Sequence, residues 1–273
     1  MFEFDPHTHS IASGHASLST ITDLAKQAAK RNLNMLGISD HGPATVHSSR
    51  SSYFRNLAYA PKKRCGIELL YGVELNILDN DGTVDLDDKI LEKLDYAIIS
   101  MHLPNKKPDT IEKNTFAYIN AMNHPKVKIV GHCDDVKYPV DYEALIVAAI
   151  HYHVVLEVNN SSLSPDGYRG DTRENIRTIL RLSQKYNHPI VLSSDSHGTE
   201  HIGDFQYALE LIRELAFPET LILNTSSKNF KDFLGYVQKE ASALANASFS
   251  YSVNFKISSV RSIYSCALLL PFL

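Results

Sequence analysis

The chain has 273 residues, 44% of them hydrophobic and 21% charged, with a net charge of −4 and a sequence pI of about 6.3. That is ample apolar material for a sizeable core, and the absence of a basic excess argues against a stably bound nucleic acid. No apolar run reaches the ~20 residues that span a bilayer. The three scattered cysteines, Cys65, Cys133 and Cys266, argue against a disulfide framework or a thiolate zinc site. They fit a reducing compartment, and with no signal-peptide pattern at the first residues a cytoplasmic location is expected.

Strands and helices then alternate along the chain. Phe2–Pro6 reads as a short strand running into His7-Thr8-His9, where side chains two apart point the same way and two imidazoles can share one target. Ser10–His15 is a loop. Ile21, Leu24, Ala25 and Ala28 mark a helix with Ser19 or Thr20 as N-cap. Leu33–Ile38 is an apolar strand ending in Ser39-Asp40-His41. The pattern then predicts a helix over 53–64, a strand over 67–73 ending in Glu74, a small hairpin over 76–84 and a short helix over 85–93. Tyr96–Met101 is a strand ending in His102, 110–123 a helix stopped by Pro125, and Val127–Gly131 a strand ending in His132. Asp141 caps a helix whose apolar face is Tyr142, Leu145, Ile146 and Ala149. Val154–Val158 is a strand with Glu157 and Asn159 where the others carry a ligand type. A polar loop at 164–170 leads to a helix over 171–186, with Asp171 and Glu174 as a capping box. Pro189–Ser193 is a strand ending in Ser194-Asp195-Ser196-His197. Phe205, Ala208, Leu209 and Ile212 define a further helix, and 220–237 a last strand and helix.

The strands are apolar runs rather than alternations, as expected of a parallel sheet buried on both faces. The class is therefore α/β, either a closed barrel or an open doubly wound sheet. His7/His9, Asp40/His41, Glu74, His102, His132 and Asp195/His197 all fall at strand ends. Such a set needs ends that converge around a ring, which favours a barrel with its site at the C-terminal face. No glycine-rich dinucleotide fingerprint follows the first strand, and there is no P-loop. Residues 1–240 are expected to form the barrel domain. From 241 to 273 the composition shifts to eight serines, no acidic residue and only Lys256 and Arg261 as charges. This tail reads as an extension, an altered reading frame or a strand and anchor against the barrel base.

The strand ends and the first loop supply seven imidazoles (His7, His9, His15, His41, His102, His132, His197) and two carboxylates (Glu74, Asp195). One ion takes about four to six donors, so two or three ions are implied, with Glu74 able to bridge. The donor set suits zinc, manganese or iron. Asp40 is expected behind the ligands, accepting an imidazole N–H. Such a site favours hydrolysis, most of all of phosphate esters: a metal lowers the pKa of bound water, and its neighbours hold charged oxygens. A nearby carboxylate or histidine would protonate the leaving group. Asp195, His197 and Glu74 are expected to be catalytic, and Arg169 to clamp a phosphate bidentately. His47, His124, His151, His153 and His188 read as structural or solvated. His201, four residues after His197, falls in the expected mouth loop.

His7-Thr8-His9, Ser39-Asp40-His41, His102, His132 and Ser194-Asp195-Ser196-His197 resemble the PHP (polymerase and histidinol phosphatase) superfamily. Gly72-Val73-Glu74-Leu75-Asn76, Leu156–Ser162 and Phe217-Pro218 are similar to its YcdX-type phosphatases. The resemblance covers about residues 1–240 and implies a distorted seven-stranded (β/α)7 TIM-like barrel in a single domain with a trinuclear, usually zinc, site. It places His7, His9, Glu74 and Asp195 on one ion, His15, His41 and His197 on a second, and Glu74, His102 and His132 on the third. It implies a phosphatase of small phosphorylated metabolites; a phosphodiesterase or 3′–5′ exonuclease and a non-catalytic metal-stabilised domain are the alternatives. The chain departs from the family's His-Pro-Gly by having His132-Cys133-Asp134, which leaves room for Cys133 or Asp134 to approach a metal.

Overall fold

The computed structural model describes residues 2–244, with side chains described as far as residue 235. The strands are β1 (Phe4–Asp5), β2 (Thr8–His9), β3 (Met35–Ile38), β4 (Lys63–Arg64), β5 (Ile67–Tyr71), β6 (Glu74–Asn76), β7 (Ala97–Ser100), β8 (Val127–Val130), β9 (Val155–Asn159), β10 (Ile190–Ser193) and β11 (Ser196–His197). The helices are α1 (Ile21–Lys30), α2 (Ser51–Leu57), α3 (Asp88–Leu91), α4 (Ile111–Ala121), α5 (Tyr142–Tyr152), α6 (Arg173–Lys185), α7 (Gln206–Glu214) and α8 (Ser227–Leu244).

Pairing is parallel in the order β1-β3-β5, with β4 added antiparallel at that edge. The chain passes from β5 through Gly72-Val73 into β6, which opens a second parallel set, β6-β7-β8-β9-β10. β11 then pairs with β2, bringing the order back to the first strand. The expected seven staves are therefore present: β1/β2, β3, β5/β6, β7, β8, β9 and β10/β11. Between β1 and β10 the side chain of Asn224 replaces a ladder. Its Nδ2 donates to Phe4 O at 3.0 Å and Leu192 O at 3.1 Å, and its Oδ1 accepts from Leu192 N at 3.0 Å.

Each stave is layered with a period of two. At the base, Phe4, Met35, Leu70, Ile98, Ile129, Val155 and Val191 meet inside the ring, and Tyr96, Phe230 and Phe233 join them. The next positions up are small: Gly37, Gly72, Ser100, Gly131 and Ser193. They must be, because a Cβ on Gly37 would lie 2.2 Å from the Tyr96 hydroxyl, and one on Gly131 would lie 2.3 Å from Ser100 Oγ. Above this layer the same positions become His41, Glu74, His102, Asn159 and Asp195. The alternate residues face outward onto the helices, as Leu36, Ile38 and Leu69 do against Leu24, Ala25 and Ala28 of α1.

Three expectations are corrected. The helix over 53–64 ends at Leu57, since Pro61 disfavours helical backbone at the residue before it, and the chain turns at Cys65-Gly66 into the β4–β5 hairpin. The last strand is two 3₁₀ turns, Glu219–Leu221 and Leu223–Thr225, with a single bridge from Ile222 to Ile190. The box at Asp171 and Glu174 does not form, because α6 starts at Arg173 with Thr172 as its cap, so Glu174 pairs with Arg177 and Arg181 instead. A true capping box is made by Thr20 and Asp23 on α1. α8 runs across the boundary drawn at residue 240, and the tail from 245 onward lies outside the described residues.

Candidate metal centre at the barrel mouth

Glu74 stands at the middle of the mouth, fully buried. Its Oε1 lies 2.8 Å from His132 Nε2 and 3.2 Å from His102 Nε2, and those two nitrogens are 3.1 Å apart. Its Oε2 faces the other way, 2.7 Å from His41 Nδ1, 3.4 Å from His7 Nε2 and 3.6 Å from His9 Nε2. Asp195 Oδ1 closes that side at 3.2 Å from His9 Nε2 and 3.6 Å from His7 Nε2. His197 Nε2 lies 3.3 Å from His41 Nε2, and the His15 ring stacks 4.8 Å from that of His41 and 5.0 Å from that of His197. All nine expected ligand residues are thus gathered in one place.

The spacings are informative. His7 Nε2, His9 Nε2 and Glu74 Oε2 are buried and make no hydrogen bond. A buried polar atom without a partner costs about 1–3 kcal/mol, so three side by side need a common explanation. Donors about 2.0–2.1 Å from a tetrahedral cation lie about 3.3–3.4 Å from each other. The four contacts of His7 and His9 with Glu74 Oε2 and Asp195 Oδ1 span 3.2–3.6 Å. The residues present fit a cation.

The surroundings fix which ring nitrogen faces inward. His7 Nδ1–H donates to Glu157 Oε1 at 2.6 Å, so Nε2 is left for the centre. Ser13 gives its only proton to Asp40 Oδ1 at 2.8 Å, so its oxygen accepts from His9 Nδ1–H at 2.9 Å and from His41 N–H at 3.1 Å. His102 Nδ1–H donates to Asn76 Oδ1 at 2.9 Å, and the Asn76 amide is set in turn by its donation to Asp85 at 2.6 Å. Arg169 Nη2 donates to Asp195 Oδ2 at 2.8 Å, which leaves Oδ1 for the imidazoles. Two of these residues carry left-handed backbone, His132 at φ +24° and Asp195 at φ +52°, an unfavourable conformation held by the surrounding structure.

Burial pushes His102 and His197 each down to about 4. Burial and the neighbouring imidazoles of His197 and His41 hold His9 well below the ordinary range. These rings are neutral at physiological pH, the form that binds metal. Burial opposes charge on Glu74 and Asp195, yet the imidazoles around them, with Arg169 beside Asp195, hold both well below the usual carboxylate range. His7 is the exception: burial disfavours its cation, but Glu157, Glu74 and Asp195 outweigh this and raise it well above the usual imidazole range. A cation held there would have to displace the proton from its Nε2.

A family model for the PHP domain matches residues 5–163. The chain belongs to the PHP domain family. It is 41% identical over 231 residues to a probable phosphatase of Thermoanaerobacter sp. (strain X514), covering 84% of this chain and 93% of that protein. It is 37% identical over 233 residues to a probable phosphatase of Clostridium novyi (strain NT), covering 85% and 94%. Among solved structures, a histidinol phosphate phosphatase of Lactococcus lactis, complexed with zinc, L-histidinol and phosphate, shares the PHP fold. The TM-score is 0.54 at 16% identity over 79% of this chain and 94% of that one.

Against this PHP frame, some residues stand otherwise than expected. Asp40 touches no imidazole; it accepts from Ser10, Ser13 and Tyr53 and reaches His9 only through Ser13. Arg169 is buried, and its guanidinium is bonded to Asp195, Ser162 Oγ and the Tyr168 hydroxyl. Cys133 packs in the layer between strands and helices, where burial pushes its thiol pKa up and so disfavours the thiolate that a metal would need. Glu157 carries more of the site than its position suggested: it also accepts from His132 N at 2.6 Å, from Asn159 and from Ser193. Its signal was a carboxylate inside an otherwise apolar strand. Ser13 had no comparable signal, being one serine in a polar loop.

Proposed function

We propose that the chain is a metal-dependent phosphatase that hydrolyses phosphate monoesters of small metabolites at a three-ion site, with zinc the ion its imidazole-rich donor set fits best. The observation that carries this reading is the divided carboxylate of Glu74, with imidazoles gathered on each oxygen. His7, His9, Glu74 and Asp195 would hold one ion, His15, His41 and His197 a second, and Glu74, His102 and His132 the third. Manganese or iron would be accepted by the same nitrogens and oxygens.

When bound, the ions supply hydroxide at neutral pH and neutralise the phosphate oxygens. The chain's own groups do the rest. Glu157, Asn76 and the Ser13–Asp40 pair keep the imidazole lone pairs aimed at the centre. Asp195, His197 and Glu74 border the reacting atoms, and the uncommitted N–H groups of Arg169 extend the binding of phosphate. Because Arg169 also holds Asp195, Arg169→Ala is expected to raise KM and to weaken metal retention together.

The test is hydrolysis of p-nitrophenyl phosphate by protein of known metal content. Turnover that disappears with chelator and returns with zinc supports the reading. A metal-replete protein that turns over no phosphate monoester contradicts it, and cleavage of single-stranded oligonucleotide in its place would make it a nuclease.

A further inference from the structure

The barrel closes between its first and last staves, where Asn224 stands in for a ladder between β1 and β10. One step nearer the mouth a second side chain crosses the same gap. Asp5, the last residue of β1, is fully buried. Its Oδ1 accepts from Ser194 N at 3.2 Å and from His7 N at 3.4 Å. Its Oδ2 accepts from Ser194 Oγ at 2.6 Å and from Gly203 N at 2.8 Å. A carboxylate has about four lone-pair sites and no proton to give, and here a donor meets each of them.

Ser194 and Gly203 are the two ends of the loop that carries Asp195 and His197. Asp195 is bent there into left-handed backbone, φ +52°, which is unfavourable for a residue with a side chain. Ser194 supports the bend from its near end: it gives its hydroxyl proton to Asp5, and its oxygen accepts from Ser196 N at 3.2 Å. Ser196 Oγ then donates to Gly198 O at 2.8 Å and accepts from His201 N at 3.3 Å. β11 pairs with β2 over two residues only. The first stave thus holds the loop at its middle, and Asp5 holds it at both ends. An amide could not do the same. Asparagine has one acceptor oxygen, and whichever way it is turned its NH2 group faces the N–H of Ser194 or of Gly203, which is then buried without an acceptor.

We propose that Asp5 is a positioning residue for the metal centre: by accepting from both ends of loop 194–203 it fixes the bend that aims Asp195 and His197. Asp5 acts only through those two residues. The role rests on the metal-centre reading and goes beyond it by naming what sets two of its ligands. It also localises the effect, because Glu74, His102 and His132, assigned to the third ion, all lie outside this loop.

Two measurements test it: amide hydrogen exchange on the metal-free protein, and titration with cobalt(II), whose visible absorption bands report ligand geometry. In Asp5→Asn the amides of the loop should exchange about 10- to 100-fold faster than in wild type, while those of β7 and β8 keep their rates. Cobalt at the sites that use Asp195 and His197 should bind about 10- to 100-fold more weakly and with shifted bands, the third ion staying in place. Ser194→Ala leaves Asp5 its three backbone donors, so it should act in the same direction to a smaller degree, and it carries the test if Asp5→Asn does not fold. Unchanged loop exchange overturns the proposal. So does faster exchange throughout the barrel with the cobalt bands and affinity of the folded protein unchanged, the mark of a merely structural residue. A loop that loosens in Asp5→Asn while wild type itself takes up no cobalt upholds the clasp and overturns the metal reading instead.

Discussion

The base and the mouth of this barrel are built on the same staves and solve opposite problems. At the base, Phe4, Ile98, Ile129 and Val191 meet with Phe230 and Phe233 in a wholly apolar cluster. The imidazoles at that end are satisfied by protein: His153 Nε2–H donates to Phe233 O at 3.0 Å and His188 Nε2–H to Val154 O at 2.8 Å. A few residues further up each strand, His7, His9 and Glu74 are just as buried and have polar atoms with no hydrogen bond. Histidine as such is therefore no mark of the site. What marks it at His7, His9 and His102 is a ring whose Nδ1 is bonded to a neighbouring side chain while its Nε2 is turned toward Glu74.

The largest effect is expected from Glu74→Gln, which removes the carboxylate whose two oxygens face different imidazoles. Phosphatase activity should fall about 10³-fold and at least one ion per chain should be lost, by elemental analysis. Full metal content in that variant would break the contrast. Phe230→Ala tests the other end: it should cost about 3–5 kcal/mol in urea unfolding. Over a distance of this kind kcat/KM of the folded protein should stay within about twofold. A base variant that empties the mouth of metal would show the two ends to be one unit.

The buried base histidine gives a signed pH effect. His188 is pushed down to about 4 by burial. Unfolded, it takes up a proton near pH 6.5, so between about pH 6.5 and 4 the unfolded state binds a proton that the folded state refuses, and stability falls as pH falls through that window. Comparing apo proteins at pH 7.5 and 4.5, wild type should lose about 2–3 kcal/mol more than His188→Gln. Identical losses would remove His188 as the cause. The smallest effect is the subtlest: Glu157→Gln should weaken metal binding about 10- to 100-fold with the fold intact, since His7 Nδ1 and the His132 backbone N–H both lose an anionic acceptor. Unchanged affinity would mean that Glu157 serves packing alone.

Much of this was legible in the sequence because a strand repeats every two residues. Along Met35, Gly37, Ser39 and His41, or Leu70, Gly72 and Glu74, the inward positions run from apolar to small to ligand, and every strand end but that of β9 announces its own donor. The ring that joins them was legible only as a requirement that the ends converge. The short strands β2 and β11 were not, since two residues after a bend carry no periodicity. Nor was the Asn224 seam, where one side chain does the work of a ladder across more than thirty residues of sequence. Arg169 lines the mouth, but its bond to Asp195 depends on how a polar loop folds back, which composition does not encode.

The central claim is that the two oxygens of Glu74 serve different ions. Anomalous diffraction above and below the zinc edge, on crystals of the zinc-loaded protein, tests it most directly. Three peaks are expected, one on each side of the Glu74 carboxylate and one among His15, His41 and His197. A single peak, or metal on one oxygen only, would contradict it.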